Sequence, residues 1–136
     1  MADGFHFVIR TPREAAFDDI VRGVRMSAET GQFGIRPGAE PMMLEVNAGL
    51  IVIRQDGGTR FAATAGGLLE SDRQRCVLYT PFAVLGEQDA DVLAGLDQAL
   101  STQNGELEAR RRLGELEQHI LREIRHRHRI TRAARP

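Results

Sequence analysis

The sequence contains no tryptophan, one tyrosine and one cysteine, and all 18 of its basic residues are arginine. The single cysteine, Cys76, cannot form an internal disulfide, which predicts a protein of a reducing compartment. Aromatic residues make up 5% of the chain, so few rings are available to stack on nucleic-acid bases. The absence of lysine indicates a coding bias, because function alone rarely forbids lysine everywhere.

Long hydrophobic runs are also missing. The longest apolar stretch, residues 42–53, contains Glu45 and Asn47 and is too short to cross a bilayer. The first residues lack the basic and apolar regions of a secretory signal. We therefore expect a cytosolic chain that reaches a membrane only through a partner.

Motifs for catalysis are not found in the sequence either. It has no nucleophile with a nearby base, no Walker loop and no dinucleotide-binding glycine motif. His119, His126 and His128 are the candidate metal ligands, but His126 and His128 are two residues apart and would point to different sides of a helix, so they do not share an ion readily. The sequence also has one cysteine and no Cys/His cluster. We expect neither catalytic residues nor a metal site, and therefore a protein that is not an enzyme.

What the sequence does contain is a run of short β-patterns in its first part. In residues 5–10, the apolar Phe5, Phe7 and Ile9 alternate with His6, Val8 and Arg10, as in a half-buried strand. Residues 50–54 and 60–64 flank an Asp56-Gly57 pair, which is a strong hairpin signal. A second polar turn, residues 71–74, precedes another strand pattern. Many short strands separated by turns predict an antiparallel β-sandwich.

The pattern changes to helical spacing near Gly86. Asp89 is predicted to cap a first helix, residues 101–105 to break it, and a second helix to start near Glu106. Its apolar stripe is Leu113, Leu116, Ile120, Leu121 and Ile124. Two helices joined by a short break predict an antiparallel hairpin. The predicted fold class is β + α, with a β-sandwich domain at 1–86 and a helical hairpin with a basic tail at 87–136.

Charge is unevenly distributed along the chain. Residues 105–136 carry nine Arg and five Glu, a formal +4, so the rest carries −5 of the total −1. A basic arm on an acidic body is typical of a protein that meets an acidic partner. One interpretation is an adaptor that binds nucleic acid or another acidic partner through the arm. Another is a solvated helix whose arginines pair locally, for example Glu108 with Arg112.

Three ordered motifs stand in the first part of the chain. They are Thr11-Pro12 followed by Phe17, GQFGIRPGAEPMM at residues 31–43 and AGGLLE at residues 65–70. Together they resemble one family, the epsilon subunits of bacterial F-type ATP synthases. At the same places that family has a similar pair and a Phe-ended strand, the loop Gly-x-x-Gly-Ile/Leu-x-Pro-Gly-x-x-Pro-Leu-Leu, and a Ser-Gly-Gly-Phe-Leu-Glu strand. The departures are Ala39-Glu40 in place of the usual His-Ala and Met42-Met43 in place of the usual Leu-Leu. They are consistent with a divergent branch, such as an alternative ATPase of its host.

The resemblance implies a role in the central stalk of a rotary motor. The sandwich would contact the gamma subunit and the c-ring, coupling ion flow to ATP synthesis at the cytoplasmic face of the inner membrane. Glycines and prolines in the loop predict a stiff connection projecting from one end of the sandwich. The candidate contact residues for the c-ring or gamma are Glu29, Thr30, Gly31, Gln32, Phe33, Glu40, Met42 and Met43.

The resemblance also implies a regulatory role for the hairpin. In bacterial relatives it folds on the sandwich or extends to the alpha and beta subunits, where it restrains ATP hydrolysis. The basic residues expected to act there are Arg122, Arg125, Arg127, Arg129 and Arg132. The ATP-binding motif of some relatives has no counterpart Arg after Asp89, so we expect no nucleotide cofactor.

Overall fold

The computed structural model describes residues 4–102 and 115–127. Strands come first in the chain and helices follow them. The strands are β1 (Phe5–Arg10), β2 (Ala15–Val21), β3 (Gly23–Ala28), β4 (Gly31–Ile35), β5 (Met42–Val46), β6 (Gly49–Gln55), β7 (Gly58–Thr64), β8 (Gly67–Ser71), β9 (Arg75–Tyr79) and β10 (Ala83–Gly86). Helix α1 covers Asp89–Thr102, and residues 115–127 are the described part of a second helix, α2.

The strands form two five-stranded sheets, which confirms the predicted β-sandwich. Sheet I has the order β2-β1-β9-β8-β5, and sheet II has the order β10-β7-β6-β3-β4. Neighbouring strands are antiparallel except for β1 and β9, which run parallel. A parallel pair joins strands that are distant in the sequence, so local turn signals could not reveal it.

Two hairpins form where the turn signals predicted them. Asp56-Gly57 makes the two-residue connection between β6 and β7. In the turn between β8 and β9, the Asp72 carboxylate accepts hydrogen bonds from the amides of Gln74 and Arg75, each at 2.8 Å. These bonds favour the charged form and lower the pKa of Asp72. The Asp72 side chain therefore provides hydrogen-bond acceptors for two backbone amides at the point where the chain reverses direction.

The structure corrects several local predictions. Phe17 lies in the middle of β2 rather than at its end, since the strand continues to Val21. Helix α1 includes residues 101 and 102, which were expected to break it; residues 103–105 lie outside the described residues. Asp89 is the first helical residue, and the Asp91 carboxylate is the group that accepts a hydrogen bond from the Gln88 amide, at 3.1 Å. The negative charge of an acidic residue in this first turn also interacts favourably with the positive end of the helix dipole.

One hydrophobic core lies between the two sheets. Its buried side chains come from inward-facing positions of both sheets and include Phe7, Ile9, Ile53, Leu69 and Leu78, each with no exposed surface. Burial of one such side chain is worth about 1.5–3 kcal/mol. This core holds the sandwich together.

A second core lies on the other face of sheet II, beneath the helices. Sheet II contributes Leu50, Phe61 and Ala63, and α1 contributes Val92. The α2 residues in this core are Leu116, Ile120 and Ile124. The predicted apolar stripe of the second helix is confirmed for these residues, while Leu113 lies outside the described residues. The molecule thus has three layers: sheet I, sheet II and the helices.

Candidate interaction surfaces

The loop motif spans two strands and therefore does not form the single projecting loop that was expected. Gly31 to Ile35 form β4, an edge strand of sheet II, and Met42 begins β5, an edge strand of sheet I. Only residues 36–41 connect them. Glu29-Thr30 is the tight turn before β4, so it lies at the opposite end of this strand from Glu40.

An open depression runs between these two edge strands. Four of the candidate contact residues line it, namely Glu29, Thr30, Phe33 and Met42, together with Ala28, Gly34, Leu44, Glu45 and Asn47. Phe33 also packs against the sandwich core. The depression combines an apolar floor with carboxylates at its rim, as a site for a polar or basic partner segment would.

The remaining candidates lie elsewhere. Gly31 and Glu40 are exposed beside the depression, and Gln32 lines a separate small cavity that faces α2. Met43 points to the outer face of sheet I, because neighbouring residues of a strand alternate between faces. Of the loop glycines, Gly31 (φ 120°) and Gly38 (φ 79°) adopt the positive φ angles that the motif predicted, and nothing lies near their missing side chains.

The outer face of sheet I carries apolar side chains in contact with water. Met43 is 64% exposed, and Leu68 and Tyr79 are each 43% exposed. Leu68 and Tyr79 are cross-strand partners of β8 and β9, and Met43 lies on the adjacent β5. Sequence reasoning did not select Leu68 or Tyr79, although the apolar pair Leu68-Leu69 must place one member outward in any strand. Together, Met43, Leu68 and Tyr79 form what we call the outer patch.

The outer face also contains buried residues. Val8 of β1 is fully buried and Val77 of β9, its register partner, is 9% exposed. Val8 lies on the face of β1 opposite the inner-core residues Phe7 and Ile9, and it is buried although no helix covers this sheet among the described residues. The outer face is therefore apolar towards its centre as well as at the outer patch.

Polar contacts attach α2 to sheet II and α1. The Glu123 carboxylate accepts a hydrogen bond from the Leu50 amide at 2.7 Å and lies 3.0 Å from the His119 ring. Burial raises the pKa of Glu123, although the Leu50 hydrogen bond and His119 oppose the rise. The Arg127 guanidinium lies 3.4 Å from the Asp89 carboxylate and 4.8 Å from the centre of the Phe61 ring.

The arginines that were expected to act in regulation differ in whether they contact the rest of the chain. Arg127, expected to dock on a partner, instead contacts the chain's own α1 and sheet II in this structure. Arg122 and Arg125 are exposed on α2. Arg129 and Arg132 lie outside the described residues. Two arginines of the predicted set are thus presented to solvent while the hairpin rests on the sandwich.

Sites for chemistry are not found among the described residues. Over 4–102 and 115–127, no three His, Cys, Asp or Glu side chains are grouped to hold a metal ion. Cys76 is buried between the sheets, and burial raises the pKa of its thiol to about 12, which keeps it unreactive. In the same part of the chain, no helix is long and apolar enough to span a membrane.

Comparisons with known proteins agree with this geometry. Residues 4–86 match the family model described as ATP synthase, Delta/Epsilon chain, beta-sandwich domain. A chain of the Euglena gracilis mitochondrial ATP synthase, in an OSCP/F1/c-ring structure, is similar with a TM-score of 0.64 and 18% identity, over 92% of this chain and 81% of that one.

A second similar structure comes from the central stalk and c-ring of the Tetrahymena thermophila mitochondrial ATP synthase. Its chain has a TM-score of 0.53 and 14% identity, over 83% of this chain and 96% of that one. At these identities the likeness concerns the fold. The matched family model covers the whole sandwich, both sheets included, and this chain belongs to the delta/epsilon chain family of ATP synthases.

Proposed function

We propose that this protein is the epsilon-type subunit of a rotary ATP synthase, a non-catalytic central-stalk subunit that couples ion movement through the c-ring to ATP synthesis. The observation that carries this proposal is that, in the described part of the chain, helices pack on the outer face of only one of the two sheets. The chain's own helices cover sheet II, whereas the outer patch of sheet I is exposed. Exposed apolar patches on a folded domain are typical of interfaces.

The outer face of sheet I is the surface we assign to the gamma subunit. It is a broad sheet face on which Met43, Leu68 and Tyr79 are exposed, and Glu70 lies between Met43 and Val77 in the strand register. Protein interfaces commonly combine apolar contacts with polar groups in this way. A closely packed sandwich core behind this face resists deformation, which suits a part that transmits torque.

The turn end of the depression is the surface we assign to the c-ring. Glu29 and Thr30 form an exposed hairpin tip there. Glu45 and Asn47 line the depression beside it. These groups suit short polar loops such as those that join membrane helices. The two similar chains come from ATP synthase structures that include the c-ring, which supports the assignment. The protein would then be held peripherally at the cytoplasmic face of the inner membrane through its partners.

The hairpin is the part to which we assign regulation. Arg122 and Arg125 are exposed on α2, and they are available to acidic segments of the alpha and beta subunits if the hairpin leaves sheet II. Arg129 and Arg132 belong to the same basic segment of the sequence. Restraint of ATP hydrolysis by this segment is part of the proposal.

An affinity pull-down of the tagged chain from its native membranes tests the assignment. We expect gamma, beta and c subunits to be recovered with the wild-type chain. Leu68→Arg places a charge in the outer patch and should reduce recovery of gamma at least about tenfold, as loss of a central interface residue does. Thr59→Arg, at an exposed residue near the start of β7 in sheet II, is the matched control and should recover gamma normally.

Three outcomes would contradict the proposal. Equal recovery of gamma with both variants would show that gamma does not bind at the outer patch. Recovery of none of the ATP synthase subunits would refute the function itself. Salt-sensitive recovery of nucleic acid in their place would favour an adaptor that binds through the basic segment.

A further inference from the structure

The depression between β4 and β5 combines apolar and acidic groups. Phe33, Met42 and Leu44 provide its apolar floor, and Glu29 and Glu45 are exposed carboxylates at its rim. Among the described residues, neither carboxylate takes part in an ion pair. None of the described residues that line the depression is basic. A complementary ligand therefore carries positive charge beside apolar side chains.

The position of the depression suits an extended segment. β4 is the last strand of sheet II, and β5 is the last strand of sheet I. Each of them has one side of its backbone without a neighbouring strand in the described part of the chain. Edge strands of this kind can form hydrogen bonds with a further extended segment. A peptide that lies between β4 and β5 can thus use its backbone as well as its side chains.

Segment 128–136 of the same chain has the matching composition. Its sequence, HRITRAARP, contains three arginines, one isoleucine and no acidic residue. The segment lies outside the described residues. Arginine forms planar, charge-assisted pairs with carboxylates, and Ile130 is an apolar side chain that suits the floor of the depression. Both kinds of group in the depression therefore have a counterpart in the segment.

The described end of α2 lies close to the depression. Arg127 lines a small cavity together with Arg25 of β3 and Gln32 of β4. Arg25 is the register partner of Gly34, and Gly34 lines the depression. The cavity and the depression therefore border the same strand, β4. The nine residues that follow Arg127 span up to about 30 Å when extended, so they are long enough to reach the depression.

We propose that segment 128–136 binds in the depression between β4 and β5 while the helical hairpin rests on sheet II, with its arginines paired to Glu29 and Glu45. The contact holds the end of α2 at the edge of the sandwich and keeps the segment from acidic partners. It is a property of the chain itself. Competition between the segment and the c-ring for this surface is a consequence that rests on the proposed function.

Tethering favours the chain's own segment over the same segment of a second copy. A segment joined directly to a docked helix has an effective concentration on the order of millimolar beside its site. A second copy competes only at the concentration of the free protein. The intramolecular contact therefore dominates in dilute solution.

Paramagnetic relaxation in the full chain, observed by NMR, measures where the segment lies. Ala134→Cys introduces a thiol for a nitroxide spin label. The native Cys76 is buried, and burial raises the pKa of its thiol to about 12, so the label attaches at residue 134. Reduction of the nitroxide in the same sample gives the reference spectrum.

We expect the amide signals of Gly34 and Asn47, which line the depression, to lose most of their intensity while the nitroxide is oxidised. The amide signals of Leu68 and Tyr79, on the outer face of sheet I, should keep theirs. Raising the salt concentration from 0.1 M to 1 M shortens the Debye length from about 10 Å to about 3 Å, and most of the loss at Gly34 and Asn47 should then disappear.

Two double variants of the labelled chain test the charge pairing. Glu29→Arg with Glu45→Arg reverses the charge of the rim and should restore the intensity at Gly34. Glu14→Arg with Glu70→Arg makes the same change of net charge at exposed residues that do not line the depression, and it should leave the loss as in the parent chain.

Three results would overturn the proposal. The first is a loss at Gly34 that persists when the rim charge is reversed. The second is a loss that is as large at Leu68 as at Gly34. The third is a loss that appears only between spin-labelled and isotope-labelled chains in a mixture, because the occupant would then be the segment of a second copy.

Discussion

The two sheets of the sandwich have similar strands but different surroundings. Sheet II packs against sheet I on one side and, over β6, β7 and β10, against α1 and α2 on the other. Sheet I shares the inner core but leaves its outer face to solvent, with the outer patch exposed. The chain thus covers part of one sheet with its own helices and leaves the other sheet open, at the face where we propose that a partner binds.

The strongest way to disturb this arrangement is to remove a side chain from the core that both sheets share. Leu78 of β9 has no exposed surface and belongs to that core. Leu78→Ala should lower the free energy of unfolding by about 2–5 kcal/mol, through lost burial and the cavity left behind. Denaturant unfolding followed by circular dichroism measures this. A loss below about 1 kcal/mol would show that the inner core is not the main support of the sandwich.

Shortening a buried side chain beneath the helices should destabilise the second core without affecting the core between the sheets. Ile120 is fully buried between α2 and sheet II. Ile120→Ala should weaken helix docking by about 2–5 kcal/mol, while the core between the sheets stays intact because Ile120 is not part of it. Amide exchange should then increase in α2 and at Leu50 but not in β9. Equal acceleration in β9 would instead mean that the helices and the sandwich unfold as one unit.

The smallest effect is expected on the open face. Met43 is 64% exposed, so Met43→Ala removes little buried surface. It should change the free energy of unfolding by less than about 0.5 kcal/mol, as substitutions at exposed positions usually do. The same denaturant measurement applies. A decrease in the free energy of unfolding as large as that of Leu78→Ala would mean that Met43 stabilises the fold. The exposure of the outer patch would then no longer argue for a binding surface.

Much of this architecture was predictable because its signals are local. Asp56-Gly57 between two apolar runs specifies a hairpin through backbone preferences that need no tertiary context. The stripe containing Leu116, Ile120 and Ile124 follows from helical periodicity. The motif at residues 31–43 identified the family, and the model match over residues 4–86 agrees with it.

The arrangement of the candidate contact residues was less predictable, because it depends on where strands end. Residues 31–43 read as one loop, yet two edge strands from different sheets divide them. The family resemblance grouped Glu29 with Glu40, and β4 separates them. Leu68 and Tyr79 meet only through strand pairing, which periodicity within one strand does not specify.

Neighbouring residues were sufficient to predict the strand and helix patterns and the family. Tertiary structure alone decided the parallel pairing of β1 with β9, the covered face of sheet II and the contact of Glu123 with Leu50. That contact joins residues 73 positions apart. Its donor is a backbone amide, which every residue except proline carries, so nothing in the sequence distinguishes Leu50 as the partner. Only packing of the helix against the sheet selects it.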